Sequence, residues 1–170
     1  TVGREGLQPV VGAEVVLAED VHHAFDEAER IQREEGRHFV HPFEGPEIAL
    51  GTATLGLEFC EQVDPIDALI VPVGGGGLCA GVSSIVKQLV PACRVIAVEP
   101  TGADSMLRSL RAGVPQAVER VETMADSLGA PFSLPYSFDL YRNNVDELVQ
   151  VSDEELGAAM RVLFRRLKIA

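Results

Sequence analysis

The chain has 170 residues, of which 46% are hydrophobic, and it carries a formal net charge of −12. That length suffices for one ordinary domain with a substantial core, and the acidic charge would repel a nucleic-acid backbone. No apolar run approaches the ~18 residues that cross a membrane, and the three cysteines lack a Cys-x-x-Cys spacing. We therefore expect a soluble cytoplasmic protein that binds neither nucleic acid nor membrane.

The first part of the chain alternates short strand and helix signals. Residues 13–17 form an apolar run that predicts a strand. Asp20 can then cap a helix with apolar positions at helical spacing, and Gly36 follows its expected end. A second short strand is predicted at 38–41. Proline and glycine turn signals separate this strand from a predicted helix over 47–62.

The middle of the chain carries the clearest pattern. A strand signal over 68–73 runs directly into four glycines, and a small, apolar helix pattern extends from 78 to 90. Another strand signal follows at 94–98. Short runs rich in Val, Ile and Leu, each separated by a helix, are typical of a parallel sheet that is covered on both faces. The pattern therefore predicts an α/β fold with a parallel or mostly parallel sheet and helices on both faces.

The last part begins with a predicted helix over 103–112. Residues 113–135 contain several prolines and few periodic apolar positions, which indicates a long connection that could form one wall of a binding site. A strand is predicted at 147–151. Ser152 and Glu155 have the spacing of a capping box, which predicts a helix over 153–168.

The glycines Gly74–Gly77 stand between a predicted strand and a predicted helix, which is typical of an anion-binding loop. Glycine can take positive φ angles and bring N–H groups close to a ligand, while the next helix adds its positive N-terminal end. A flexible linker would instead carry Ser or charge. Residues 75–80 also satisfy G-x-G-x-x-A, and Glu99 ends the next strand, where a Rossmann acid would meet a ribose. The residues leave two ligands open: a dinucleotide, and a phosphate monoester such as pyridoxal phosphate.

Several separated motifs occur in a definite order along the chain, namely His41-Pro42-Phe43, Val71-Pro72-Val73-Gly74-Gly75-Gly76-Gly77-Leu78, Val98-Glu99-Pro100 and Thr123-Met124-Ala125-Asp126-Ser127-Leu128-Gly129. In this order they resemble the serine/threonine dehydratase and serine racemase family of fold type II pyridoxal phosphate enzymes. The resemblance implies a tryptophan synthase β-like fold that is incomplete here, as a central to C-terminal fragment. It also implies that residues 1–45 are a remnant of the small domain and residues 46–170 part of the large cofactor-binding domain.

The resemblance also implies roles for individual residues. The backbone amides of the tetraglycine loop and its successor would hold the cofactor phosphate, and the positions are Gly74, Gly75, Gly76, Gly77 and Leu78. Phe43 matches a position near the cofactor. A divalent cation, Mg²⁺ or Ca²⁺, binds in some relatives at positions that match Glu99, Ala103 and Ser105. Ser105 stands where an acid is expected, and such ions favour carboxylate ligands.

The implied activity is β-elimination of water from serine, threonine or another β-hydroxy amino acid, which gives a 2-oxo acid and ammonia. The family's Schiff-base lysine motif does not occur in this sequence, whose two lysines are Lys87 and Lys168. We therefore expect the chain to be inactive alone and to associate as a homo-oligomer in its complete form. The alternatives are serine racemase, an NAD-dependent oxidoreductase and a non-catalytic cofactor-binding fragment.

Overall fold

The computed structural model describes residue 12 and residues 14–169. The chain divides into two compact units, Thr1–Val40 and His41–Ala170. The assignment of residues 1–45 and 46–170 to the small and large domains of a longer enzyme stays a prediction.

The first unit contains one described helix, α1, over Val21–Glu35. The Asp20 carboxylate accepts the His23 N–H at 2.9 Å, and Gly36 ends the helix with a φ of 66°, so both predicted helix ends are confirmed. The strand predicted at 13–17 is wrong over its described residues, 14–17, and so is the strand predicted at 38–41. A short apolar run alone does not make a strand, because a strand needs a neighbour to pair with.

The second unit is built on a three-stranded sheet in the order β1-β2-β3, with β1 at Ala68–Pro72, β2 at Arg94–Pro100 and β3 at Glu147–Val151. Both neighbouring pairs are parallel, with Val71 opposite Ala97 and Val98 opposite Val149. The predicted α/β class with a parallel sheet is therefore confirmed. All three carboxyl ends of the strands lie at the same edge, where ligands bind in open α/β sheets.

Five helices complete the second unit: α2 (Pro46–Gln62), α3 (Gly77–Leu89), α4 (Ser105–Ala112), α5 (Pro135–Asn144) and α6 (Asp153–Leu167). The capping box that begins α6 is confirmed, since Ser152 and Glu155 exchange side-chain and backbone hydrogen bonds. Helix α5 has no counterpart among the predicted elements. It begins on Pro135, and its aromatic residues Phe138 and Tyr141 are fully buried.

Helix α3 is the best-packed helix of the unit and lies tightly against α2. A Cβ on Gly81 would be 2.0 Å from the Thr52 hydroxyl oxygen, and a Cβ on Gly56 would be 2.4 Å from a methyl carbon of Ile85. The Thr52 hydroxyl also lies 3.0 Å from the Gly77 carbonyl oxygen. These close approaches hold α3 against α2, and the Thr52 bond does so at the first residue of α3. Across residue 12 and residues 14–169, no helix combines the length and the apolar character that a membrane crossing requires.

Candidate functional site

The glycine loop joins the carboxyl end of β1 to the start of α3. The Val73 N–H donates to the Val98 carbonyl at 2.8 Å, so the chain stays paired with β2 until the first glycine. Gly76 is the N-cap of α3 with a φ of 97°, a conformation that favours glycine. As a glycine, Gly76 has no side chain with which to cap this helix start. The first N–H groups of α3 therefore have no partner within the helix. They lie at the positive end of the helix dipole.

Glycine is required in this loop by close packing as well as by backbone conformation. A Cβ on Gly74 would lie 2.8 Å from the Leu128 carbonyl oxygen. On Gly75 it would lie 2.2 Å from the Phe43 ring, and on Gly77 it would lie 2.7 Å from the Phe43 backbone. Larger residues cannot be accommodated without displacing backbone. The loop is therefore a packed turn and not a flexible linker.

Phe43, which the sequence places near the cofactor, lies against this loop. Its ring packs edge-on to His41, with centroids 4.6 Å apart, and its centroid lies 5.7 Å from that of Phe132. The Phe43 N–H donates to Nδ1 of His41 at 3.2 Å, so this nitrogen acts as an acceptor. Burial lowers the pKa of His41, although the nearby Glu44 carboxylate opposes that effect. A neutral His41 thus helps to fix the backbone of Phe43.

Glu44 and Ser137 are site residues that the sequence interpretation missed. The two Glu44 carboxylate oxygens accept the N–H groups of Tyr136 at 2.8 Å and Ser137 at 3.0 Å, at the start of α5. The Ser137 hydroxyl donates to the Phe43 carbonyl at 2.6 Å. The available signal was Pro135, because proline is favoured at the first position of a helix. Nothing local in the sequence indicates that a carboxylate 92 residues away caps that helix.

Glu99, a predicted cation ligand, is fully buried at the end of β2. Its carboxylate oxygens accept the N–H groups of Met106 at 2.8 Å and Leu107 at 3.1 Å in the first turn of α4. Burial raises the pKa of this carboxyl to about 7, while the two N–H donors act in the opposite direction. Glu99 therefore supplies the cap that α4 does not receive from its own N-cap residue, Asp104.

The other two predicted cation ligands are poorly suited to a hard ion. Ala103 offers only backbone oxygen, and the buried Ser105 hydroxyl, which has no hydrogen-bond partner in the described structure, is neutral. Residue 12 and residues 14–169 contain no group of three His, Cys, Asp or Glu side chains that could hold a metal ion. The donor set does not fit Mg²⁺ or Ca²⁺ well, and the cation stays a prediction.

Comparison with known proteins decides the class of the molecule. The family model described as "Pyridoxal-phosphate dependent enzyme" matches residues 7–170. The chain belongs to this pyridoxal-phosphate dependent enzyme family. The resemblance noted from the sequence motifs is thereby confirmed, and pyridoxal phosphate is favoured over a dinucleotide.

Individual relatives agree with the family assignment. The chain is 59% identical over 159 residues to phenylserine dehydratase of Ralstonia pickettii, covering 94% of this chain and 49% of that protein. It is 38% identical over 160 residues to L-threonine ammonia-lyase of Thermotoga maritima, covering 94% and 40%. The structure of maize serine racemase matches with a TM-score of 0.90 and 32% identity, covering 98% of this chain and 50% of that one. The chain thus spans about half the length of the phenylserine dehydratase and has a fold type II architecture.

Neither lysine of this pyridoxal-phosphate enzyme chain is associated with the glycine loop. The Lys87 ammonium group donates to the Cys93 carbonyl at 2.8 Å and to the Asp146 carboxylate at 2.7 Å. These two residues directly precede β2 and β3, so they lie at the amino edge of the parallel sheet, whereas the glycine loop follows the carboxyl end of β1. Lys168 follows the end of α6 and is exposed.

Proposed function

We propose that the complete protein is a pyridoxal phosphate-dependent dehydratase that removes water from a β-hydroxy amino acid and yields a 2-oxo acid and ammonia. The observation that carries the proposal is the glycine-built, uncapped start of α3 in a chain of the pyridoxal-phosphate family. Relatives named as phenylserine dehydratase and L-threonine ammonia-lyase support this type of reaction.

The proposed role of the loop is to bind the cofactor through its phosphate. Backbone N–H groups at Gly74–Leu78 would donate to phosphate oxygens, and the dipole of α3 favours the negative charge of the group. The residues fit a phosphate because the glycines carry no side chain of their own and the N-cap residue Gly76 provides no side-chain cap to the helix start. When bound, pyridoxal phosphate supplies an electron sink conjugated to the substrate's amino group.

Phe43 shapes the proposed phosphate site and shields it from water. Its ring lies against Gly75 and next to Phe132, so one side of the loop is covered by apolar surface. Excluding water strengthens hydrogen bonds between backbone N–H groups and an anion. We propose that Phe43 supports the phosphate site in this way and does not itself exchange protons.

The 170-residue chain alone should bind the phosphate group but not turn over substrate. A lysine that forms the Schiff base has to reach the cofactor, and Lys87 is held at the opposite edge of the sheet by Cys93 and Asp146. We propose that the remaining length seen in the relatives supplies this lysine. Cytoplasmic location and homo-oligomer formation stay predictions.

Among β-hydroxy amino acids, we propose that phenylserine is a better substrate than threonine or serine. The 59% identity to phenylserine dehydratase exceeds the 38% identity to L-threonine ammonia-lyase over nearly the same length of this chain. A serine racemase relative in maize shares the fold at lower identity, 32%. Racemisation is the second outcome that an assay has to separate.

The test is a substrate panel with the complete protein loaded with pyridoxal phosphate. Phenylserine, threonine and serine are supplied separately, and ammonia and the matching 2-oxo acid are quantified together with the chirality of the remaining amino acid. We expect 2-oxo acid and ammonia in equal amounts, fastest from phenylserine. If the cofactor binds but no 2-oxo acid forms from any of the three, the proposed function is wrong; if enantiomers alone form, the protein is a racemase.

A further inference from the structure

The Glu44 carboxylate lies outside the glycine loop and binds the start of α5, next to the segment that packs against the loop. Helix α5 starts on Pro135, which has no N–H, and its N-cap residue Leu134 has no side-chain acceptor. The first N–H groups of the helix therefore belong to Tyr136 and Ser137. Both are accepted by Glu44, one on each carboxylate oxygen, at 2.8 and 3.0 Å. Glu44 thus provides the whole side-chain cap of α5, and its charge is favourable at the positive end of the helix.

The same contact holds the residue before Glu44. The Ser137 hydroxyl, which is buried, donates to the Phe43 carbonyl at 2.6 Å. The 43–44 segment is therefore joined to the first turn of α5 by two hydrogen bonds to the Glu44 side chain and one to the Phe43 backbone carbonyl. Each of these bonds has one partner on the 43–44 segment and one partner in α5.

This fixed segment forms one wall of the glycine loop. A Cβ on Gly75 would lie 2.2 Å from the Phe43 ring, and a Cβ on Gly77 would lie 2.7 Å from the Phe43 carbonyl oxygen. On the neighbouring Gly76 it would lie 2.7 Å from the Met106 Cε of α4 and 3.5 Å from the Ser137 Cβ. Three of the four glycines are thus in contact with groups that Glu44 holds in place.

We propose that Glu44 is a positioning residue for the cofactor phosphate, because it fixes Phe43 and the start of α5 against the glycine loop. This inference rests on the proposed function and deepens it, since it assigns control of the phosphate grip to a residue that does not touch the phosphate. Without the carboxylate, the 43–44 segment loses the bonds from the Tyr136 and Ser137 N–H groups, and the loop N–H groups lose their fixed orientation.

The experiment titrates the complete apoprotein with pyridoxal phosphate and, separately, with pyridoxal, which lacks the phosphate. Glu44→Ala is compared with the wild type and with Glu58→Ala, a matched control in which an exposed carboxylate of α2 is removed. We expect Glu44→Ala to weaken pyridoxal phosphate binding about tenfold or more and pyridoxal binding less than about twofold, because only the phosphate contacts the loop. Glu58→Ala should leave both affinities unchanged.

The ratio of the two affinities separates positioning from general destabilisation, which would weaken both ligands alike. An unchanged ratio in Glu44→Ala overturns the inference. If that variant does not fold, Glu44→Gln decides, because its amide keeps one acceptor oxygen and should lower the ratio to an intermediate value; a ratio equal to that of the wild type again overturns the inference. If the wild type itself does not prefer pyridoxal phosphate over pyridoxal, it is the phosphate site of the proposed function that fails.

Discussion

The starts of α3 and α4 are both helix N-termini without a cap from their own N-cap residue, but at α4 a buried carboxylate supplies the cap. Each follows the carboxyl end of a parallel strand, β1 or β2, and each lacks a side-chain cap from its own N-cap residue within the described structure. At α4 the Glu99 carboxylate accepts two of the first N–H groups. At α3, Gly74 and Gly77 approach the backbone of Leu128 and Phe43, Gly75 approaches the Phe43 ring, and the N-cap Gly76 provides no side-chain cap.

The difference shows how neighbouring helix ends can share one edge of a sheet without competing for one ligand. A helix start attracts an anion, and the protein supplies that anion itself at α4 and, through Glu44, at α5. The N-cap residue of α3 is a glycine, and under the proposed function an anion from outside, the cofactor phosphate, binds there. We infer that the arrangement selects where a phosphate binds by filling the alternative sites.

The largest effect is expected when the glycine loop is given a side chain. In Gly75→Ala the new Cβ would lie 2.2 Å from the Phe43 ring, so the ring or the loop has to move. We expect the affinity of the complete apoprotein for pyridoxal phosphate to fall about 100-fold or more, since several phosphate hydrogen bonds change together. Titration of the cofactor measures this loss.

Gly51→Ala is the matched control for this glycine substitution. Gly51 lies inside α2, and a Cβ there would meet nothing within 4 Å among the described residues. Alanine in a helix interior is favoured over glycine, so we expect a gain in stability of about 0.5–1 kcal/mol and unchanged cofactor affinity. Equal losses of affinity in both glycine variants would show that the effect does not come from the loop.

A smaller effect, on stability, is expected at the start of α4. Glu99→Ala removes the acceptor of two N–H groups in a buried setting, so we expect the free energy of unfolding to fall by about 1–3 kcal/mol. Glu99→Gln should lie between alanine and the wild type because it keeps one acceptor oxygen. Denaturant unfolding measures the change, and cofactor affinity should change less than about threefold. A large loss of affinity without loss of stability would contradict the division of roles between the two helix starts.

The smallest effect is expected at the amino edge of the sheet. Hydrogen bonds from the Lys87 ammonium and, to a smaller extent, from the Val95 N–H hold the pKa of Asp146 below its usual range. A lowered carboxyl pKa stabilises the fold at neutral pH, and this contribution disappears as pH falls through the folded-state pKa. Asp146→Asn should therefore cost less than about 1 kcal/mol at pH 7, because the pair is partly exposed, and should equal the wild type once the pH lies below the folded-state pKa of Asp146. A difference that grows on acidification would contradict this sign.

Local signals in the sequence predict much of this fold. The glycine loop, the parallel strands on either side of α3 and the capping box of α6 each depend on residues close together in the chain. The strand predicted at 13–17 is wrong over its described residues because a short apolar run does not supply a pairing partner. Helix α5 was missed because its start depends on Pro135 and on a cap that comes from Glu44.

The candidate site could be predicted only in part for the same reason. The glycines and Phe43 are recognisable from their motifs, and the structure places them together. The contribution of Glu44 depends on hydrogen bonds that span 92 and 93 residues, and the commitment of Glu99 to α4 depends on which way its carboxylate turns. Side-chain direction across such separations is set by tertiary packing, which a pattern of residue types does not encode.

The proposed function requires that the start of α3 holds the cofactor phosphate through backbone N–H groups. Its most direct test is to follow the glycine amide resonances of the complete apoprotein, labelled with ¹⁵N-glycine, during titration with inorganic phosphate and with pyridoxal. We predict that the amides of Gly74–Gly77 shift with phosphate and not with pyridoxal, while Gly36 and Gly113 stay in place. Loop amides that do not respond to phosphate, in a protein that still binds pyridoxal phosphate, would contradict the account.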